Sequence, residues 1–344
     1  MASMLETIKA LCARRGVSGD EGPVRDYIKS CAAPFADDMT TDAAGNLIVF
    51  KKGKKTPARK VMLCAHMDEV GVIITGVTDD GYLKFESVGS IDRRVLIGKT
   101  VKVGKGDVFG VIGIMAYHLV KKDEREKIPA LSDMYIDIGA NKKEDALRRV
   151  SPGDTGTFNS AFVEFGNGFL SARALDDRVG CAVLMKLIKS ELPVDCTFAF
   201  TVQEEVGTRG AAVASFRVTP DIALIIESTT AADLPSVPPS KKVCSVGKGA
   251  VIPFMDNAAI YDKELYRMLT SLADKNDIPW QTKSYISGGT DAGAIQRSRG
   301  GVMTAGIAAP VRNLHSPSNV ACMNDIEAVY RLAGLFINEI GEKY

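Results

Sequence analysis

Histidine is the scarcest chemistry-bearing residue in this 344-residue chain: only His66, His118 and His315 occur. Cysteine is present seven times but never paired at CxxC or CxxxC spacing. That pattern argues against a zinc ribbon or a disulfide framework and reads as reduced, buried thiols in a cytoplasmic protein. No apolar run approaches the ~20 residues that a membrane span needs. Charge of one sign is also lacking, with 43 Lys+Arg against 42 Asp+Glu and a net charge of +1. No global field therefore favours nucleic acid or an anionic membrane. The basic runs "KKGKK" (Lys51–Lys55) and "KKDEREK" (Lys121–Lys127) read as solvated turns. There is no internal repeat, low-complexity tract or proline-rich linker. The opening "MASMLETIKALCARRG" reads as an amphipathic helix, without the long apolar stretch of a secretory signal.

The length exceeds one comfortable core, so two units are expected. Up to residue 70 the pattern predicts two helices, "MLETIKALCARRG" and "DEGPVRDYIKSCAAPFA", then strands "NLIVFKK" and "KVMLCAH". Between 71 and 163 helical periodicity fades. "VGVIITGVTDDGYLKFESVG" predicts a hairpin around Asp80-Gly81, and "GKTVKVGKGDVFGVIGIMA" continues in that style. From 164 onward helices and buried strands alternate: "DDRVGCAVLMKLIKSEL", "CTFAFTVQEE", "DIALIIES" and the closing helix "DIEAVYRLAGLFINEIGEKY". The expectation is a three-layer α/β domain of residues 1–70 and 164–344, split by a small β-rich domain at 71–163.

Acids and imidazoles gather where apolar strands stop. His66 and Asp68 follow "VMLCA"; Asp176 and Asp177 open a helix; Glu204 and Glu205 follow "CTFAFTVQ"; Glu227 follows "DIALII"; His315 stands in "NLHSPSN". Taken singly, each has an ordinary explanation: a satisfied polar residue, a helix first turn, or the cap of "RVGCAVLMKLI". Together they place two of three histidines beside several carboxylates, at the strand ends where α/β folds bind ligands. That is an N/O donor set suited to zinc, cobalt or manganese.

The motifs "CAHMDEVG", "ALDDRVG", "TVQEEVGTRGA", "ESTTAADLP", "SGGTDAGAIQ" and "LHSPSN" occur in an order that resembles the tetrahedral (TET) metallo-aminopeptidases. That family includes glutamyl and deblocking aminopeptidases, and some members carry the older label endoglucanase. The resemblance covers essentially the whole chain. It implies a zinc-exopeptidase-like catalytic domain with an inserted barrel or PDZ-like domain used for dimerisation and assembly. It also implies two divalent metals, zinc or cobalt foremost and manganese next, bridged by Asp176. His66 and Glu227 would complete one metal site, Glu205 and His315 the other. Glu204 would be the general base acting on a hydroxide shared by the metals, and Asp68 would orient His66. Short peptides would be the substrates, reached inside a dodecamer of dimers whose chamber excludes folded proteins.

Glu227 departs from the pattern, since these aminopeptidases usually carry Asp there and related dimetal carboxypeptidases often carry Glu. A carboxypeptidase or deacylase therefore stays open, with Arg178, Arg209 and Arg312 as possible clamps for a free carboxylate. A non-catalytic metal-binding assembly protein is the other alternative. A glycosidase would need two carboxylates free of metal. The glycine-rich loop makes Gly289, Thr290 and Asp291 substrate-binding candidates, or else a turn whose Thr290 or Asp291 caps a helix. His118 reads as structural, with a place at a neighbouring subunit's site as the alternative. The preferred N-terminal residue is left open.

Overall fold

The computed structural model describes residues 3–344. One eight-stranded sheet forms its spine. Four parallel strands occupy the middle in the order Cys196–Thr201, Val61–His66, Ile222–Thr230 and Met303–Val311. Val61–His66 is buried at every residue and Ile222–Thr230 at all but its last. Helices on both faces explain why these strands read as unbroken apolar runs rather than alternating ones. Asp38–Thr41 and Leu47–Lys51 extend one edge; Ala250–Val251 and Trp280–Gln281 extend the other.

The helices Met4–Cys12, Gly22–Ala32, Leu175–Ile188, Lys263–Lys275 and Met323–Lys343 share one core with a face of the sheet. The helices Arg209–Val218 and Ala292–Gln296 cover the other face. Local chemistry sets their starts. Ser3 and Glu6 form a reciprocal capping box at the first helix, and Asp262 accepts from the amides of Glu264 and Leu265 at the fourth. The last helix buries Ile326, Val329, Ala333, Phe336, Ile337 and Ile340, the three-to-four spacing seen in the sequence.

The β-rich segment closes into a six-stranded barrel of Gly71–Val77, Leu83–Val88, Tyr135–Asp137, Val108–Gly113, Thr100–Val103 and Thr155–Phe158. It has its own core, with Val72, Ile74, Phe85, Val101, Ile136 and Phe158 among its members. The expected hairpin turns at Gly81, whose φ of +86° puts it in the region that favours glycine. Val163 lies beyond the barrel. It opens a short strand, Val163–Phe165, that pairs with Phe169–Ala172 and so joins a three-stranded antiparallel sheet with Asn319–Cys322. "GNG" at 166–168 supplies that hairpin turn, with Gly166 and Gly168 both at positive φ, a signal that the expected boundary at 163 overlooked. Among the described residues no helix is long and apolar enough to cross a membrane.

Candidate metal centre

Parallel register brings the chemistry together. His66 is the last residue of its strand and sits opposite Thr201, the last of the neighbouring one. Glu227 lies on the strand beside them, and Glu204, Glu205 and His315 follow strand ends in the connecting loops. Asp176 and Asp177 precede the helical part of Leu175–Ile188: their backbone is non-helical, and a cis peptide joins them.

Asp176 stands between the two histidines. Its Oδ1 is 3.4 Å from His66 Nε2, and its Oδ2 is 3.3 Å from His315 Nε2. His66 Nε2 is also 3.7 Å from Glu227 Oε2, and His315 Nε2 is 3.2 Å from Glu205 Oε2. Each imidazole thus turns one nitrogen to a carboxylate pair, while its other nitrogen is held from behind. Nδ1 of His66 lies 3.2 Å from the Asp68 carbonyl and 3.4 Å from its Oδ1; Nδ1 of His315 donates to the Ser90 carbonyl at 2.9 Å. Such support fixes the tautomer that a metal ligand needs.

Asp68 reaches further than the sequence reading assigned it. Its carboxylate accepts from the backbone amides of Glu204 (3.0 Å) and Glu205 (3.1 Å), and from Ser18 Oγ (2.6 Å). One buried acid therefore orients His66 and pins the loop that carries both glutamates. Glu69 follows it in sequence. It is buried and pairs with Arg173 and with Arg178, whose guanidinium also donates to the Leu11 carbonyl. Arg178 is thereby unavailable as a substrate clamp. Arg312 is likewise tied to Asp233 by two bonds of 2.6 and 2.7 Å, whereas Arg209 is exposed.

Charge balance tests whether metal fits here. Burial, then the neighbouring acids Asp291, Glu205 and Asp176, raise the Glu204 carboxyl well above its usual range, with His66 only partly opposing them. Burial, with Asp177, Glu204 and Asp176, does the same to Glu227. Burial disfavours charge on His315, yet Asp176 and Glu205 push it up to about 11. Asp177 Oδ1 accepts from the Gly180 amide at 2.9 Å, as a cap would, but its buried Oδ2 has no partner. Ligand atoms of His66, Asp176 and Glu205, and separately of His66, Asp177 and Glu227, lie within 4.8 Å of one another. An excess of buried carboxylates around two imidazoles is what divalent cations would neutralise, so the donor set fits them.

The remaining candidates divide. Gly289 is exposed. Thr290 and Asp291 turn inward: Thr290 Oγ1 donates to Asp256 (3.1 Å), and Asp291 accepts from Thr201 (2.5 Å) and Cys64 (3.5 Å). Neither side chain is presented to solvent, and Asp291 makes no capping bond at Ala292–Gln296. Burial lifts the Asp291 carboxyl to about 6. His118 is exposed on the barrel and joins neither cluster.

The barrel segment also completes the centre. Gly89 has φ +79°, and a Cβ there would lie 2.7 Å from Val70 Cγ1 and 3.4 Å from Glu205 Cβ. A side chain there would press on Val70 and strain the backbone just before the Ser90 carbonyl that meets His315. Gly89→Ala is expected to weaken metal affinity about 10–100-fold through the displaced Ser90 contact, read by chelator competition.

Against known proteins, the model for the M42 glutamyl aminopeptidase family matches residues 45–332. The chain belongs to that family. A curated relative from Acetivibrio thermocellus is 40% identical over 331 residues, covering 96% of this chain and 97% of its own. The TET aminopeptidase of a marine-sediment Thaumarchaeota archaeon superposes with a TM-score of 0.94 at 34% identity, over 98% of each chain. The Pyrococcus horikoshii TET1 peptidase, which can assemble into a tetrahedron or a large octahedral shell, gives 0.85 at 38% identity over 96% of this chain and 98% of its own. Membership makes this chain a peptide hydrolase, and a two-domain architecture with a closed barrel is shared with these neighbours.

Proposed function

We propose that this chain is a dinuclear metal-dependent aminopeptidase that removes N-terminal residues from short peptides, with Glu204 as general base. The observation that carries the reading is Asp176, which turns one oxygen to each histidine. His66, Asp176 and Glu227 would hold one ion; His315, Asp176 and Glu205 would hold the other. Divalent ions there would lower the pKa of water from 15.7 towards ~7 and polarise the scissile carbonyl. The protein supplies the rest. Asp68 and the Ser90 carbonyl orient the imidazoles, and Asp68 holds the Glu204 amide so that its side chain faces the cluster. Glu204 takes a proton from the attacking water and returns it to the leaving amine.

A carboxypeptidase would need a cation free to hold the substrate's carboxylate. Two of the three flanking arginines are committed to Glu69 and Asp233, which favours the aminopeptidase. Glu227 keeps the carboxylate ligand one methylene longer than the usual Asp. The assembling TET1 relative supports a homo-oligomer, a dodecamer of dimers in this proposal, and seven free cysteines support a cytoplasmic setting.

A panel of aminoacyl-anilides, N-acetylated peptides and carboxypeptidase substrates, assayed with EDTA and after restoring zinc, cobalt or manganese, tests this. Metal-restored cleavage of free-amine substrates alone is expected. Cleavage confined to acylated or carboxyl-terminal substrates would replace the assignment with the deacylase or carboxypeptidase.

A further inference from the structure

The peptidase reading leaves unused the residue that closes the motif "LHSPSN". Asn319 is buried, and its amide touches two of the segments that meet at the metal centre. Its Oδ1 accepts from the Leu175 amide at 3.1 Å, on the residue just before Asp176. Its Nδ2 donates to the Asn313 carbonyl at 2.8 Å and to the Ser316 carbonyl at 3.2 Å, on either side of His315. A primary amide carries acceptor and donors at once, so one side chain joins an N–H of one segment to two carbonyls of another.

Both segments contain backbone that needs holding. Asn313 and His315 sit at φ +55°, and Ala174, just before Leu175, sits at φ +57°. Left-handed backbone is uncommon outside glycine. It persists where the surroundings over-determine it, and it gathers at functional sites. Here the bonds of Asn319 fall on or beside all three residues. Without its two donors, the loop at 313–316 is free to relax towards ordinary backbone. That would carry the His315 ring away from Asp176 and Glu205.

Leu175 is held from its other side as well. Its carbonyl accepts from Ser228 Oγ at 3.1 Å. Ser228 follows Glu227 on the strand Ile222–Thr230, so this bond ties the Asp176 segment to the His66 half of the centre. The backbone of Leu175 thus leads two ways: its N–H through Asn319 to the His315 loop, its C=O through Ser228 to the Glu227 strand. Asp176, which turns one oxygen to each histidine, hangs between the two.

We propose that Asn319 and Ser228 are positioning residues that each set Asp176 against one half of the metal centre. Asn319 serves the half of His315 and Glu205; Ser228 serves the half of His66 and Glu227. The inference rests on the two-ion reading and adds that the halves are adjusted separately. Asn319→Asp keeps the shape and the acceptor for Leu175 but removes both donors. His315 then loosens while Asp176 stays against the Glu227 strand. In Ser228→Ala, Asp176 stays with the His315 loop and gives way on the other side.

The test is calorimetric titration of cobalt into the full chain after EDTA treatment and dialysis. His315→Ala and His66→Ala are the references that show which binding step belongs to which half. The wild type is expected to take up two ions. Asn319→Asp should weaken the step missing from His315→Ala about 10–100-fold, the usual effect of losing a group that supports a ligand, and leave the other step in place. Ser228→Ala should show the opposite choice, more weakly, because it removes one bond rather than two. Thermal melts of the metal-free proteins check folding, and Ser228→Ala decides the matter should Asn319→Asp not fold. A residue that only stabilised the fold would weaken both steps together. Equal weakening of both steps in a folded variant, or of neither, would overturn this inference while two ions in the wild type keep the dinuclear reading. Fewer than two ions in the wild type would overturn both.

Discussion

Glu204→Gln is expected to retain its metal and lose turnover by at least about 10², within the ~10²–10⁴ range of general acid–base catalysis. The substitution is isosteric, so what it removes is the capacity to take and return a proton. Four acids around it have different commitments. Asp176 lies between two imidazoles, Glu205 faces His315, and Glu227 faces His66 while accepting weakly from the Ser228 amide. Asp291 is buried against Thr201 and Cys64. The Glu204 carboxylate alone among the five makes no hydrogen bond or ion pair with another described residue. Losing its charge therefore leaves no structural partner stranded, and folding should be unaffected. The measurement is kcat/KM on the best anilide from the panel, with metal content determined on the same sample. Full metal with near wild-type turnover would remove Glu204 as the base. Loss of metal would instead make it a ligand.

Much of this centre was legible because a parallel sheet covered on both faces writes its strands as apolar runs. The polar residue that ends such a run then stands out, and His66 after "VMLCA" and Glu227 after "IALII" are visible for that reason. Asp176 was legible through its company rather than its position. Asp177 stood with Asp176 among the gathered acids, with a helix cap as the ordinary alternative; it does cap through the Gly180 amide, while its second oxygen is buried without a partner. Contacts made by backbone left no trace in side-chain pattern. The Ser90 carbonyl on His315 arises because the barrel returns to the catalytic layers just there, about 225 residues away in sequence. Ser18, whose side-chain hydroxyl donates to Asp68, is hidden instead by the fifty residues that separate them in sequence. The glycine-rich loop misled in the opposite direction. Its glycines suggested close approach of a ligand, but Thr290 and Asp291 turn towards Asp256 and Thr201 beneath the sheet end, where neither is exposed.

Asp68→Asn is expected to cost more than an orienting residue usually does, because one carboxylate serves four partners. Its two oxygens accept from the amides of Glu204 and Glu205, from Ser18 Oγ, and lie against His66 Nδ1. Burial works against this charge, but the His66 ring, the Ser18 hydroxyl and the Glu204 amide together hold the carboxyl below its usual range. An asparagine offers one oxygen and one NH₂, so one of the two glutamate amides must face a donor. That leaves an unmade buried hydrogen bond, at about 1–3 kcal/mol of stability. The displaced loop carries both the proposed base and a proposed ligand, while the His66 ring loses its fixed orientation. Metal affinity should fall about 10–100-fold by the usual effect of removing a group that supports a ligand. Turnover at saturating metal should still be reduced, since Glu204 moves with the same loop. That second readout separates positioning from mere retention of metal: a variant whose kcat returns to wild type once metal is supplied would confine Asp68 to supporting His66. A kcat that stays low at full occupancy, with the chain still folded by thermal melt, is the outcome the four-way contact predicts.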